Sequence, residues 1–235
     1  MGYFNNINLL NFRNFENYSL NFSTGCNVLY GKNGTGKTNI LESISLFSKG
    51  RGLRKDKLSN IIKKNSNKFI IKSDFQNNEI IYNLTSETLN IDNKVKKVLL
   101  VNRDKSKESI DRIYKLITFL YFLPETERLF LLSPSFRRNF IDQLIFTYKN
   151  NYNKLINQYT KYIQERSKIL STHSYDESWL IELEKNISKN ALEIYSLRGK
   201  QVKLMNNNLN DYLSNFNLPF KINIQLSDKF YKGKC

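Results

Sequence analysis

The sequence predicts an α/β protein: a nucleotide-binding lobe with an antiparallel β portion, followed by a mainly helical second lobe. Three observations predict it. A glycine-rich loop at residues 31–38 stands between a short apolar segment and a stretch of helical periodicity. Short β-prone pieces separated by turn residues fill residues 68–101. Beyond residue 107 the apolar residues recur at helical spacing.

Taken in order, residues 3–9 read as a strand and 18–22 as its hairpin partner, with 11–17 as turn material. Residues 27–30, Asn-Val-Leu-Tyr, read as a short strand running into the glycine-rich loop. Residues 38–48 read as a helix, because Ile40, Ile44 and Phe47 form one apolar stripe. Gly50 is a plausible stop, and a basic turn follows at Arg51-Gly52-Leu53-Arg54-Lys55. Strands are expected at 69–75, 79–84, 88–91 and 95–101, with turns at Asn77-Asn78 and Asp92-Asn93. The charged stretch 102–110 marks a boundary. Ser133-Pro134 then caps a helix carrying Phe136, Phe140, Leu144 and Tyr148, and apolar spacing continues to Ile163. Ser174 with Glu177 reads as a capping box for another helix, with Leu180, Ile187, Ala191, Ile194 and Arg198 near one face. Residues 220–226 alternate like a strand. The expected divisions are 1–106, 107–217 and a return strand within 218–235.

Composition bounds the function. The net charge is +16, from 37 Lys and Arg against 21 Asp and Glu, and this excess attracts polyanions. Part of it accompanies a general abundance of Lys, Asn and Ile, which AT-rich codons favour. No apolar run approaches the roughly 18–20 residues of a membrane span, and the N-terminus lacks a signal-peptide pattern, so a cytoplasmic protein without a membrane partner is expected. Cys26 and Cys235 stand apart, and His173 is the single histidine. That set offers neither a zinc site nor a Ser/His/Asp triad.

The loop Gly31-Lys32-Asn33-Gly34-Thr35-Gly36-Lys37-Thr38 matches G-x-x-x-x-G-K-[ST] in full. Glycines let the backbone curl so that successive N–H groups point at phosphate oxygens. Lys37 then reaches the β- and γ-phosphates, Thr38 can ligand Mg²⁺, and the following helix presents its N-terminus to the anion. ATP and Mg²⁺ are the expected cofactors.

Three stretches carry a family resemblance. They are Leu9-Leu10-Asn11-Phe12-Arg13-Asn14-Phe15; then Asn27 through the loop to Thr38-Asn39-Ile40-Leu41-Glu42-Ser43-Ile44; and Phe122-Leu123-Pro124-Glu125 with Ser133-Pro134-Ser135-Phe136-Arg137-Arg138-Asn139-Phe140-Ile141-Asp142. In order and spacing they resemble the RecF family, ABC-type ATPase heads related to SMC proteins. The resemblance implies that Arg13 and Asn14 lie beside the nucleotide, though a solvated turn is the alternative. It implies that Asn33 helps hold the phosphates or the attacking water, and that Asn39 belongs to the same site. Arg51 and Arg54 match a basic turn used near nucleotide or DNA; a merely solvated turn is the rival. Arg137 and Arg138 stand on the first turn of a helix, a poor place for cations against the dipole, which suggests an ion-pair or interface role.

The family also carries, in its later half, an L-S-x-G-Q signature and a Walker B strand, and neither is found here. A truncated, frameshifted or split product is the expected account. Such a chain is expected to bind nucleotide weakly and to hydrolyse it negligibly. The implied function is ATP-dependent, sequence-nonspecific DNA binding at gapped or damaged replication sites. The implied partners are DNA, a RecR-type recombination mediator and a second copy in an ATP-dependent homodimer. Candidate phosphate contacts are Lys63, Lys64, Lys94, Lys96, Lys97, Arg103, Lys105 and Lys107. Two rival functions remain: a P-loop kinase of small molecules, and a DNA-binding remnant indifferent to nucleotide.

Overall fold

Why a sheet forms in the first half is visible in the alternation of its strands. In the computed structural model, which describes residues 2–49, 52–92, 94–149, 151–171, 177–216 and 219–227, every second residue of the long strands faces one core. The chain makes two units, Met1–Tyr121 and Phe122–Cys235.

The first unit holds β1 (Gly2–Phe4), β2 (Asn6–Phe12), β3 (Phe15–Asn21), α1 (Lys37–Ser45), β4 (Lys68–Asn77), β5 (Ile80–Ile91), β6 (Lys94–Val101) and α2 (Lys107–Leu116). The sheet is antiparallel in the order β3-β2-β4-β5-β6. β1 and β2 run one after the other along the same edge of β4, facing residues 75–77 and 70–72. Asn5 between them stays in register by donating its N–H to the Asp74 carbonyl at 2.8 Å. Ile7 and Leu9, Phe69, Ile71 and Phe75, Tyr82 and Leu84, and Leu99 and Val101 point to one face. There they meet Ile40, Leu46 and Phe47 from α1 and the turn after it, with Ile113 and Ile117 from α2 and its end. Sheet and helices thus close one mixed α/β core.

Four local expectations change. The first hairpin turns tightly, since Phe12 already pairs with Phe15 and only Arg13 and Asn14 lie between. Residues 79–84 and 88–91 belong to one continuous strand, because β5 is paired on both sides through its polar middle. Residues 27–30 pair with no strand among the described residues, and Val28 and Tyr30 stand exposed; an apolar tetrapeptide makes a strand only where a neighbour takes its hydrogen bonds. The charged stretch after β6 opens α2, where Ser106 caps by accepting the Ser109 N–H. α2 packs on β6 through Ile113, so it belongs to the first unit.

The second unit holds a helical segment Pro124–Leu131, broken at Arg128, then α3 (Pro134–Tyr148), α4 (Tyr152–Leu170) and α5 (Glu177–Leu213). Ser133 precedes α3 as expected, although its side chain makes no capping bond. Ile145, Tyr152, Ile194 and Leu197 form the core where α3, α4 and α5 meet. Residues 221–227 pair with no strand among the described residues; Asn206 of α5 instead takes both backbone groups of Ile224, at 2.9 Å each. Gly50, His173, Ser174 and Cys235 lie outside the described residues. Among those described, no helix is long and apolar enough to cross a membrane.

Candidate functional site

The glycine-rich segment curls because its glycines take backbone angles closed to other residues. Gly31, Gly34 and Gly36 have φ of 146°, 84° and 100°. Gly36 is the residue before α1, and a Cβ there would meet Phe15 Cζ at 2.5 Å. The curl brings the Lys37 ammonium back over the loop, where it donates to the Gly31 and Lys32 carbonyls at 2.8 Å each. Thr35 Oγ1 donates to the Lys32 carbonyl at 3.0 Å. Lys32, Asn33, Gly34 and Thr38 are exposed. The first α1 hydrogen bond runs from Ile40 N–H to the Gly36 carbonyl, so the amides of Lys37, Thr38 and Asn39 have no partner within the helix. An exposed loop, free helix-start amides and a lysine at its rim fit a polyphosphate, and the Thr38 hydroxyl fits the hard oxygen shell of Mg²⁺.

The β2–β3 turn braces this loop. Asn14 lies against Gly36 and accepts from Asn39 Nδ2 at 2.7 Å, which brings Asn14 and Asn39 to the loop. Arg13 is committed elsewhere. Its Nε donates to Glu42 Oε2 at 2.8 Å and its Nη2 to Glu42 Oε1 at 2.6 Å. Its Nη1 reaches the Asn60 carbonyl at 3.1 Å, and Asp56 Oδ2 lies 3.0 Å from Nη2. The Glu42 partner raises Arg13 above the ordinary arginine range. Arg54 joins from the basic turn, donating to Asn39 Oδ1 at 2.9 Å and Glu42 Oε2 at 3.4 Å. Arg51 lies outside the described residues.

Sequence reasoning missed Glu42, whose side chain is fully buried. It sits within the family-like stretch, but its partners arrive from 29 and 12 positions away, so local pattern gives no sign of them.

The candidate phosphate contacts scatter. Lys63 pairs with Glu16 at 2.8 Å, while Lys64, Lys94, Lys96, Arg103, Lys105 and Lys107 are exposed. Lys97 departs from that expectation. The alternation of β6 turns it inward with Leu99 and Val101, and its ammonium donates to the Leu46 carbonyl at 2.5 Å, at the end of α1. Burial pushes it down to about 8. In the second unit Arg137 donates to the Leu132 carbonyl at 2.6 Å, and Arg138 to Ser135 Oγ at 3.1 Å. Both contacts bind the start of α3 to itself and its approach.

A family model for the RecF/RecN/SMC N-terminal domain matches residues 3–115. DNA replication and repair proteins RecF of Rickettsia conorii and Rickettsia typhi are 30% and 31% identical over 214 residues. Each alignment takes in 91% of this chain and 58% of the relative, so the chain spans little more than half their length. Two solved structures of the recombination mediator RecF of the RecFOR pathway, with ATPγS and with ATP, superpose at TM-scores of 0.80 and 0.76. They are 27% and 28% identical, and each covers 92% of this chain and 58% of the other.

Proposed function

Because this chain is a homologue of RecF, spanning about 58% of the length of the relatives it matches, we propose that it is an ABC-type head that binds Mg²⁺–ATP and DNA. The observation that carries the reading is the Lys37 ammonium held 2.8 Å from two carbonyls of a loop whose three glycines have left-handed φ. A nucleotide polyphosphate offers that ammonium better acceptors than the carbonyls, and it meets the free amides at the start of α1. Thr38 would hold the Mg²⁺ that neutralises the β- and γ-oxygens when bound. Solved relatives described with ATP and ATPγS support the same cofactor.

DNA is the proposed polyanion. The +16 charge supplies attraction without sequence preference, and exposed Lys64, Lys94, Lys96, Arg103, Lys105 and Lys107 supply phosphate contacts. By likeness to RecF of the RecFOR pathway, the setting is recombinational repair at gapped DNA in the cytoplasm, with a RecR-type mediator and an ATP-dependent second copy as partners.

Fluorescence anisotropy with gapped DNA across a salt series tests the DNA half. The expected log–log plot is linear and steep: a protein neutralising six phosphates loses about a thousandfold in affinity between about 50 and 200 mM salt. Affinity that does not change with salt contradicts phosphate contact.

A further inference from the structure

Glu42 is a carboxylate buried completely within a helix, and a buried charge persists only when well paired. It is four residues after Thr38, so it stands one turn further along the same face of α1, about 6 Å away along the axis. Both of its oxygens are taken by arginines rather than left free for the loop. It thereby ties two separate segments to α1. Arg13 grips both of its oxygens from the β2–β3 turn, at 2.8 and 2.6 Å. Arg54 reaches it from the basic turn at 3.4 Å while also holding Asn39 at 2.9 Å. Asp56 and Asn60 hold the far side of Arg13, and Asn60 Nδ2 donates to Asp56 Oδ1 at 2.9 Å.

We infer that Glu42 is a positioning residue for the phosphate loop: through Arg13 and Arg54 it fixes the first turns of α1, and so Lys37 and Thr38, against the 13–14 turn and the 52–60 segment. This rests on the nucleotide-binding reading above. The physical reason is rigidity at the point of use. The loop's grip depends on backbone amides and one ammonium held in place, and glycines at 31, 34 and 36 give the loop little stiffness of its own. The stiffness is lent from below. Asn14 against Gly36 and the Asn14–Asn39–Arg54 chain hold the loop end, and the Arg13–Glu42 fork holds the helix one turn down. A glutamine has nearly the same shape but replaces one accepting oxygen with a donor facing the guanidinium. The fork is then lost while the volume is kept.

The test is Glu42→Gln in the full chain, read by calorimetry with Mg²⁺–ATP and by amide resonances of Gly34 and Gly36 without nucleotide. The expected result is ATP binding at least tenfold weaker, with both resonances displaced. Arg13→Gln is expected to weaken binding similarly, and the double variant no more than the worse single one, because both remove one interaction. Wild-type affinity in Glu42→Gln overturns the inference. So do weakened binding with unmoved Gly34 and Gly36 resonances, and strictly additive losses in the double variant. Should Glu42→Gln not fold, Arg13→Lys carries the test. It keeps the cation without the fork, and undiminished ATP binding there overturns the inference. A wild-type chain that does not bind ATP overturns the nucleotide reading itself, and the inference with it. Wild-type binding that Glu42→Gln leaves intact overturns the inference alone.

Discussion

Asp142 of α3 accepts three hydrogen bonds: from Tyr152 OH at 2.6 Å, and from Arg198 Nε and Nη2 at 2.8 Å each. All three residues lie in the second unit, and Asp142 is only 7% exposed. Burial and the carboxylate raise the Tyr152 phenol well above its usual range, so it stays a donor at any physiological pH. The cluster joins α3, the first residue of α4 and α5 through one carboxylate. Asp142→Ala leaves the half-buried Arg198 without its partner, and should lower stability by about 3 kcal/mol in urea unfolding, the low end for a buried pair; a loss under ~1 kcal/mol would contradict the pairing. Tyr152→Phe removes one hydrogen bond and should cost only about 1 kcal/mol. None of this was legible beforehand. Asp142 closes one of the family-like stretches and Arg198 stands on an apolar helical face, but 56 residues separate the pair, so local pattern does not join them. Arg13 teaches the same lesson. The family-like segment marks it as a site residue, but only the fold shows that its guanidinium is spent on Glu42, Asp56 and Asn60.

At the scale of elements, periodicity carried most of the reading. The hairpin β2–β3, the antiparallel run from β4 to β6 and helices α1, α3 and α5 follow from spacing two or spacing three to four. What spacing could not supply was partners. Residues 27–30 look like a strand by composition, and β5 looks like two strands because Thr85, Ser86 and Glu87 interrupt its apolar pattern. Ser86 and Thr88 face inward and are fully buried. The same alternation carries Lys97 inward opposite Thr88, where its ammonium meets the Leu46 carbonyl and the negative end of the α1 dipole. Its folded value of about 8 lies below the ordinary 10.5. Between these values the unfolded chain holds the extra proton, so the Lys97 contribution makes stability rise with pH from about 8 towards 10.5. The penalty of burying the cation is fully present below pH 8. Unfolding measured at pH 7.5 and 9.5 should show wild type gaining stability relative to Lys97→Met. Parallel pH profiles for the two would contradict the buried amine.

At the scale of the molecule, one unit carries the glycine-rich loop proposed to bind nucleotide and an antiparallel sheet, and the other carries a helical core around α5. The motif 31–38 and its flanking stretches suggest the kind of site from sequence alone; the brace of Glu42, Arg13 and Arg54 behind the loop is visible only in the fold. The chain spans 58% of the length of the RecF proteins it resembles, so binding comes before turnover in any test. The most direct measurement is titration calorimetry of the purified chain with Mg²⁺–ATP, beside Lys37→Ala. The account predicts saturable binding by wild type and none detectable for Lys37→Ala, with the same circular dichroism for both. ATP binding by Lys37→Ala equal to that of wild type would contradict it.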